Sequence, residues 1–364
     1  MSLVSPLLKH AVYPALARSG YLRRQAGAGP AVVTYHGVLP AGYRVLDPGL
    51  DGSLITAETF RHQLRLLKEN YHVISPEQFF LWCESKVDLP PRSILLTCDD
   101  GLRNVLTDML PTLQEASLSC LFFVLGDSLG DTCSMLWYEE LYLMFLAGPE
   151  SFELNLVEIA LHEHVTGRKE KRSLWWNLVK NFSRCGPEDR RGLLTNVRRQ
   201  LGLSGNWDSE YRQDPACGRR FLMLSLAELR RLIGEGMSVG AHTLSHPMLS
   251  QLSPESAWIE ISESRRAMEQ ALDKPVWALA YPFGDPSSVT PREIEMAERA
   301  GFTCAFVNVG GGLGAKTSRF AMPRVHVSAG MGLGEFEAHI SGFYGWLRHR
   351  SMPWAEAGTM RFAS

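Results

Sequence analysis

The chain has 364 residues, of which 45% are hydrophobic and 21% are charged, a composition that excludes a disordered chain and suffices for one large α/β domain or two ordinary ones. A formal net charge of -2 argues against a general nucleic-acid-binding protein, which needs clustered Lys and Arg to contact phosphates. The seven cysteines form no CxxC pair and no disulfide-rich spacing, which predicts reduced thiols.

Residues 1–29 predict an N-terminal helical extension, because apolar residues recur there at roughly helical spacing: Leu3, Leu7, Leu8, Val12 and Leu16. Charged residues interrupt the apolar run that a signal peptide requires, so we expect no signal peptide and a cytoplasmic location. Such a helix either docks onto its own domain, which we favour, or makes a peripheral contact with the inner membrane surface. No stretch elsewhere approaches the roughly 18 consecutive apolar residues of a membrane span.

Six short apolar or β-branched runs predict buried strands, at residues 31–35, 94–98, 120–125, 238–241, 277–281 and 304–307. These runs are too uniformly apolar for an exposed antiparallel sheet, so we expect parallel strands. Helix starts are marked between them, since Ser75 and Ser225 open capping-box sequences and Ser253 precedes Pro254. The alternation of strands with crossover helices favours a barrel or a doubly wound sheet.

The first predicted strand ends in His36 and Gly37, which puts an imidazole at one edge of the sheet. An imidazole with a pKa near 6.5 can donate a proton to a leaving amine or alkoxide at neutral pH. His326, between Val325 and Val327, is a rival for this role. We rank it second, because its alternation with valines also fits a side chain that simply points off a strand.

Asp99 and Asp100 follow the apolar run at residues 94–98 and precede Gly101. Side chains of adjacent strand residues point in different directions, so the two carboxylates cannot do the same job. One can hold a metal ion, and the other can take a proton from water, whose pKa falls to about 7 on a bound metal. The alternative is a polar turn that caps a helix beginning near Leu102, and for this dipeptide alone we favour the turn.

The alternation of strands and helices lapses over residues 133–220, which predicts a helical insertion carried on one loop. The segment is rich in charge and contains Trp137, Trp175, Trp176 and Trp207. We favour a small core of the insertion itself for these tryptophans, with a lid or substrate platform as the alternative. The predicted organisation is an extension at 1–29, a main domain at 30–132 and 221–345, the insertion at 133–220 and a tail at 346–364.

His242 and His246 supply two imidazoles at a spacing that lets both reach one metal ion, from one helical face or from a tight loop before Pro247. Either histidine alone is more typical of a structural or surface group. Together with the acidic pair at another predicted strand end, they form the ligand set of a zinc-type centre that keeps a position open for water. The sequence therefore predicts a metal-dependent hydrolase.

Four motifs closely resemble those of the NodB-homology polysaccharide deacetylases, carbohydrate esterase family 4; they lie at residues 34–37, 97–101, 242–246 and 281–284. The resemblance extends from about Val32 to Val327 without the insertion. It implies a distorted (β/α) barrel with about seven parallel strands. It also implies a divalent metal, usually Zn²⁺, at Asp100, His242 and His246, with Asp99 as general base and His36 as general acid.

The resemblance further implies a substrate groove lined by the motif Tyr281, Pro282, Phe283 and Gly284, where the backbone N–H of Phe283 helps to bind the oxyanion. A backbone donor does not depend on the side chain, so phenylalanine suits this position. Ala280 stands where many relatives carry an arginine that orients the base, and Arg324 is our candidate for that role and for the groove.

The predicted function is the removal of N-acetyl groups from a sugar, a polysaccharide or a glycan precursor. One alternative is hydrolysis of other non-peptide C–N bonds or of O-acetyl esters with the same groups. A second alternative is a catalytically silent carbohydrate-binding protein. The expected partner is an acetylated glycan and not a nucleic acid, and the sequence makes no prediction of oligomeric state.

Overall fold

The computed structural model describes residues 6–27, 29–130, 134–314 and 317–351. Parts of all four predicted regions lie outside the described residues: 1–5 and 28 of the N-terminal extension, 131–132 and 315–316 of the main domain, the first residue of the insertion at 133, and 352–364 of the tail. The predicted domain boundaries stay predictions.

One parallel sheet of nine strands organises the molecule, and its main path runs β10-β9-β8-β7-β4-β3-β1-β11. The short strand β2 pairs beside this path with the first half of β3. The described strands are β1 Ala31–Tyr35, β2 His72–Ile74, β3 Ser93–Cys98, β4 Leu121–Val124, β5 Ser151–Leu156, β6 Leu161–Thr166, β7 Ser238–Ala241, β8 Ala278–Ala280, β9 Cys304–Val307, β10 Met322–Pro323 and β11 Val325–His326.

The two ends of the main path are consecutive pieces of one extended segment, since only Arg324 separates β10 from β11. The β10 piece pairs with β9 and the β11 piece pairs with β1, both in parallel. The segment therefore bridges the first and last strands and nearly closes the sheet into a barrel. Counted as one position, it joins β1, β3, β4, β7, β8 and β9, which confirms the predicted distorted barrel of about seven parallel strands.

Each of the six predicted strands forms, with ends within two residues of the expected ones. Their residues are almost all buried because side chains of the barrel interior cover one face and the surrounding helices cover the other. The interior contains Val32, Leu95, Phe123, Ala280 and Phe306. The predicted scheme did not include β2, β10 and β11, which span only two or three residues each.

The described α-helices are α1 Tyr13–Arg18, α2 Tyr21–Arg24, α3 Pro48–Asp51, α4 Ala57–Asn70, α5 Pro76–Cys83, α6 Leu110–Ala116, α7 Trp137–Ala147, α8 Gly167–Phe182, α9 Pro187–Gln200, α10 Ser209–Gln213, α11 Pro215–Phe221, α12 Leu226–Gly234, α13 Pro254–Leu272, α14 Pro291–Arg299, α15 Leu333–Ile340 and α16 Phe343–Ser351. The predicted capping boxes at Ser75 and Ser225 are present, and Ser253 caps α13 with Pro254 in its first turn. The helix expected near Leu102 begins later, as a π-helical turn at Val105–Met109 that leads into α6.

The insertion contains α7 to α11 and also an antiparallel hairpin of β5 and β6, which the helical prediction missed. Burial alternates along β5, so one face of the hairpin packs on the insertion while the other is exposed. The insertion has its own apolar core, separate from that of the barrel, with Trp137 and Trp175 among its buried members. Trp207 packs against that core and is partly exposed.

The N-terminal helices dock onto α15, the arrangement that the amphipathic pattern favoured. Tyr13 and Leu22 are buried there together with Ala338. An ion pair of 3.1 Å joins Lys9 Nζ to Glu335. In the part of the chain that the structure describes, no helix is both long enough and apolar enough to cross a membrane.

Candidate metal centre and active site

The carboxyl ends of the barrel strands open into a cavity of about 500 Å³, closed on one side by the insertion. Side chains that follow β1, β3, β7 and β8 line this cavity, as expected for the edge where the ends of parallel strands meet. Most of the predicted site residues belong to its lining: His36, Asp99, Asp100, His242, His246, Tyr281, Phe283, Arg324 and His326. Residues far apart in the sequence are therefore brought to one place.

Asp100, His242 and His246 form the candidate metal site. Asp100 Oδ1 lies 3.5 Å from Nε2 of each histidine, and all three side chains are buried. Among the described residues, that carboxylate oxygen has no hydrogen-bond partner. A tetrahedral ion about 2.1 Å from each ligand atom needs those atoms roughly 3.4 Å apart, so the spacing fits a divalent cation such as Zn²⁺.

A backbone contact orients His242 for ligation. Nδ1 lies 2.8 Å from the carbonyl oxygen of Ala280, to which the ring donates as the Nδ1–H tautomer. Nε2 is thereby left as the acceptor that faces Asp100, the arrangement typical of metal-binding histidines. Ala280, which stands where many relatives carry an arginine, thus contributes its backbone carbonyl group to the site.

The histidine motif forms a tight loop and not a helix. Thr243 and His246 have φ angles of +63° and +59°, and Asp100 has a φ of +73°. Non-glycine residues rarely adopt this left-handed conformation, so neighbouring groups must hold it in place. The buried Glu260 of α13 accepts hydrogen bonds from the N–H groups of Leu244 and Ser245 at 3.0 and 2.9 Å.

The insertion holds the same loop from the other side. Trp137 Nε1 donates to the carbonyl oxygen of His246 at 3.2 Å, and Arg190 Nη1 donates to that of Ser245 at 2.6 Å. The Arg190 guanidinium also lies 4.8 Å from the Trp137 ring centre, a cation–π distance. Helices α7 and α9 therefore pack directly on the loop that carries His242 and His246.

Tyr138 is a site residue that the motifs did not identify. Its hydroxyl donates to Asp100 Oδ2 at 3.3 Å, and its ring centre lies 5.2 Å from that of His246. The carbonyl oxygen of Tyr138 accepts a hydrogen bond of 2.6 Å from Trp175 Nε1, which fixes the start of α7. The aromatic richness of the insertion was the available signal, but it did not say which ring reaches the metal site.

The protonation states of Asp100 and His246 suit metal binding, whereas the carboxylates of Asp100 and Asp99 outweigh burial and raise the pKa of His242. Burial alone would raise the pKa of Asp100, but the adjoining His242, His36 and His246, which favour the ionised carboxylate, outweigh it and lower that pKa. Burial lowers the pKa of His246 to about 3, and the nearby His242 adds to the effect. At neutral pH the carboxyl group is therefore ionised and His246 is neutral, the forms in which both bind metals.

Asp99 points into the barrel interior, where it meets Arg324. Two hydrogen bonds of 2.7 Å join Nη1 and Nη2 of the arginine to the two carboxylate oxygens. The guanidinium is fully buried and lies 5.5 Å from the Phe123 ring centre. Burial raises the pKa of Asp99, but the positive charge of Arg324 outweighs this effect and lowers it overall.

His36 and His326 lie side by side, with ring centres 4.9 Å apart and planes at 75°. Within the described part of the chain, the buried Nδ1 of His36 has no hydrogen-bond partner. Burial lowers the pKa of His326 to about 3, and the charge of a protonated His36 would lower it further. His326 is therefore neutral at pH 7.

The motif at residues 281–284 lies beside the candidate metal site and contributes Tyr281 and Phe283 to the cavity lining. Tyr281 donates its hydroxyl to the carbonyl oxygen of Phe320 at 3.0 Å, and the Phe283 ring lies 5.0 Å from that of His246. Phe283 and Gly284 have φ angles of +60° and +66°. A side chain at Gly284 would come within 2.5 Å of the backbone nitrogen of Asn308, so the turn requires glycine.

Sequence comparison connects this chain with the polysaccharide deacetylases. The family model for polysaccharide deacetylase matches residues 203–305. The chain is also 25% identical over 117 residues to YxkH of Bacillus subtilis (strain 168), whose name is "Putative polysaccharide deacetylase YxkH". That match covers 32% of this chain and 41% of the length of YxkH.

Several solved structures share the fold. The deacetylase PplD of Streptococcus pyogenes, solved with acetate, has a TM-score of 0.54 at 15% identity and covers 86% of this chain and 98% of its own. IcaB from Ammonifex degensii has a TM-score of 0.54 at 16% identity, with 87% and 98% covered. The polysaccharide deacetylase BC0361 from Bacillus cereus has a TM-score of 0.51 at 17% identity, with 86% and 69% covered.

These comparisons confirm the resemblance to the NodB-homology polysaccharide deacetylases that the four motifs predicted. They also confirm the fold class, since the solved structures cover most of the chain. Members of this family are hydrolases of carbon–nitrogen bonds other than peptide bonds, which is the enzyme class that the motifs predicted.

Proposed function

We propose that this relative of the NodB-homology polysaccharide deacetylases is a metal-dependent hydrolase that removes N-acetyl groups from a sugar or polysaccharide. One observation carries the proposal: the Asp99 carboxylate lines the same cavity as the candidate metal ligands but is bound to Arg324 and not to them. A structural metal site needs no second carboxylate of this kind. A hydrolytic site needs one, because water must lose a proton as it attacks.

Asp100, His242 and His246 would hold the cation. When bound, a divalent cation supplies Lewis-acid polarisation of the acetamide carbonyl group and lowers the pKa of water to about 7. Three protein ligands are typical of catalytic zinc sites, which keep a further coordination position for water or substrate. This donor set of one carboxylate and two imidazoles is of that type.

Asp99 acts as the general base in this proposal. Arg324 lowers its pKa, so the carboxylate is ionised and able to accept a proton at neutral pH. A carboxylate has about four lone-pair sites, and the two hydrogen bonds from Arg324 use only two of them. The arginine thus fixes the orientation of the carboxylate and leaves an acceptor position for the proton of water.

His36 acts as the general acid and protonates the departing amine. It lines the cavity that contains Asp99 and the metal ligands. His326 is the less suitable donor, because its low pKa leaves it neutral at pH 7. We assign His326 the role of packing against the His36 ring.

The N–H of Phe283 is the oxyanion donor in this proposal. In the described part of the chain it has no hydrogen-bond partner, and the left-handed turn at this residue lies next to His246. A preorganised donor at such a position stabilises the negative charge that develops on the carbonyl oxygen. Because the donor belongs to the backbone, the side chain at residue 283 is free to contact His246.

Acetate release from N-acetylglucosamine oligomers by the purified full chain tests the proposal. We expect Zn²⁺-loaded protein to release acetate, chelation to stop the reaction and added Zn²⁺ to restore it. Asp99→Asn should lose activity and keep its metal, whereas Asp100→Asn should lose both. The same panel includes O-acetylated sugars, so that release from esters alone would identify the esterase alternative.

A catalytically silent carbohydrate-binding protein gives a different result. It would bind Zn²⁺ and the oligomers, as calorimetry would show, but would release no acetate from any member of the panel. Loss of metal from Asp99→Asn would also contradict the proposal, because Asp99 would then be a ligand and not the base.

A further inference from the structure

One face of α8 forms a wall of the active-site cavity. Trp175, Trp176, Val179 and Lys180 all line the cavity, and their spacing places them on neighbouring turns of the helix. Trp175 is buried in the core of the insertion, but Trp176 is 48% exposed. A large aromatic side chain so exposed at the wall of a cavity has a face available to a ligand.

The Trp176 ring has a rigid support. Its centre lies 4.6 Å from that of Trp175, with the ring planes inclined at 41°. Trp175 is anchored in turn, since its Nε1 donates to the carbonyl oxygen of Tyr138 at 2.6 Å. Tyr138 also donates to the metal ligand Asp100. A short chain of contacts therefore fixes the exposed ring relative to the metal site, and a preorganised surface loses little entropy when it binds.

We propose that Trp176 is a stacking platform for a pyranose ring adjacent to the sugar that is deacetylated. This inference rests on the proposed deacetylase function and narrows its substrate to glycans of two or more sugars. The axial C–H groups of a pyranose form an apolar face with positive partial charge, which suits the electron-rich face of an indole. Lys180 and Asp285 line the same cavity and offer polar groups to sugar hydroxyls.

The other tryptophans of the insertion have different roles. Trp137 packs in the core of the insertion and donates to the backbone of His246, and Trp175 supports Trp176. Trp207 packs against the insertion core and does not belong to the cavity lining. Of the four tryptophans noted in the sequence, Trp176 alone combines an exposed ring with a place in the cavity wall.

The test compares a long and a short substrate. For Trp176→Ala we expect KM for the N-acetylglucosamine tetramer to rise roughly tenfold. Burying a large apolar side chain typically changes an affinity by about 10- to 100-fold. The kcat for the tetramer and both constants for monomeric N-acetylglucosamine should stay within about twofold of wild type. Trp176→Phe should recover part of the affinity, because it keeps an aromatic face.

The matched control is Trp346→Ala, which removes a tryptophan of similar exposure (47%) that lines a different cavity. It should leave KM for the tetramer unchanged. Metal content and the thermal midpoint of each variant show that the site and fold are intact. An unchanged KM for the tetramer in Trp176→Ala, or an equal loss with the monomer, would overturn the stacking role while leaving the deacetylase function in place.

Failure of the deacetylase function gives a distinct pattern, in which wild type releases no acetate from either substrate. Calorimetric titration of the tetramer into Asp99→Asn protein, with and without Trp176→Ala, then decides the inference by binding alone. A tenfold weaker Kd in the double variant supports the platform. Equal binding by the two proteins, or no binding by either, rejects it.

Discussion

Arg324 and Asp99 are joined by two parallel hydrogen bonds of 2.7 Å inside the barrel. The arginine is the residue between β10 and β11, so the segment that closes the barrel also delivers the partner of the candidate base. Bidentate pairing fixes both the position and the plane of a carboxylate. Closure of the fold and orientation of the base therefore depend on the same five-residue stretch.

Replacing Arg324 should separate orientation from charge. We expect Arg324→Lys to keep a positive charge near Asp99 but lose the two-pronged contact, and kcat for acetate release to fall roughly 100-fold, as small misplacements of catalytic groups do. Zn²⁺ content should be unchanged, because Asp100 and the histidines do not bind Arg324. The thermal midpoint serves as the control for folding, since removing one partner of a buried ion pair lowers the free energy of unfolding by about 3–5 kcal/mol. Full activity of Arg324→Lys would show that the arginine does not position the base.

The pH dependence should change when the charge is removed. Arg324 lowers the pKa of Asp99 by favouring its ionised form, so Arg324→Gln should raise that pKa. The base is active only when ionised, and activity is lost as the pH falls through its pKa. The acid limb of the kcat/KM profile should therefore move to higher pH in Arg324→Gln and move less in Arg324→Lys. An acid limb that does not move would assign that limb to another group.

The sequence was sufficient for the parts of the fold that depend on local pattern. Uniformly apolar runs predicted the barrel strands β1, β3, β4, β7, β8 and β9, and the caps at Ser75, Ser225 and Ser253 gave the helix starts. The motifs predicted which side chains gather in the cavity because parallel strands place their carboxyl ends at one edge. These are properties of neighbouring residues or of a repeated topology.

Contacts made across long distances in the chain were not predictable in the same way. Strands β10 and β11 are defined by their pairing partners, and the valines beside His326 were the one local sign of a strand there. The approach of Tyr138 to Asp100 depends on how the insertion packs over the barrel, which no local pattern encodes. The same packing decides that Trp175 is buried and Trp176 exposed, although the two are adjacent in sequence.

Tyr138 should strengthen metal binding through Asp100. Its hydroxyl donates to the carboxylate oxygen that does not face the two histidines, which leaves Oδ1 directed at the site of the cation. Partners of metal ligands typically affect metal affinity by about 10–100-fold. We therefore expect Tyr138→Phe to weaken Zn²⁺ binding roughly tenfold, as measured by competition with a chromogenic chelator.

Tyr142→Phe is the matched control for this experiment. Tyr142 lies one turn further along α7 and packs against Trp175, so the variant also removes a buried hydroxyl from the same helix. Its Zn²⁺ affinity should equal that of wild type. If both variants weakened Zn²⁺ binding equally, the effect would come from the packing of α7 and not from the hydrogen bond to Asp100.

The assignment of His36 as the proton donor predicts a dependence on the leaving group. An amine must be protonated as it departs, whereas the phenolate of an aryl acetate leaves without help from an acid. His36→Asn should therefore lower kcat for N-acetylated oligomers by roughly 100- to 1000-fold, within the range of general acid catalysis, but lower it much less for an activated aryl acetate. His326→Asn should affect both substrates alike and more weakly, because His326 is neutral at pH 7 and acts through packing. Acetate release from the two substrates by each variant, at equal Zn²⁺ loading, gives the comparison. The reverse pattern, with the leaving-group dependence in His326→Asn, would exchange the roles of the two histidines.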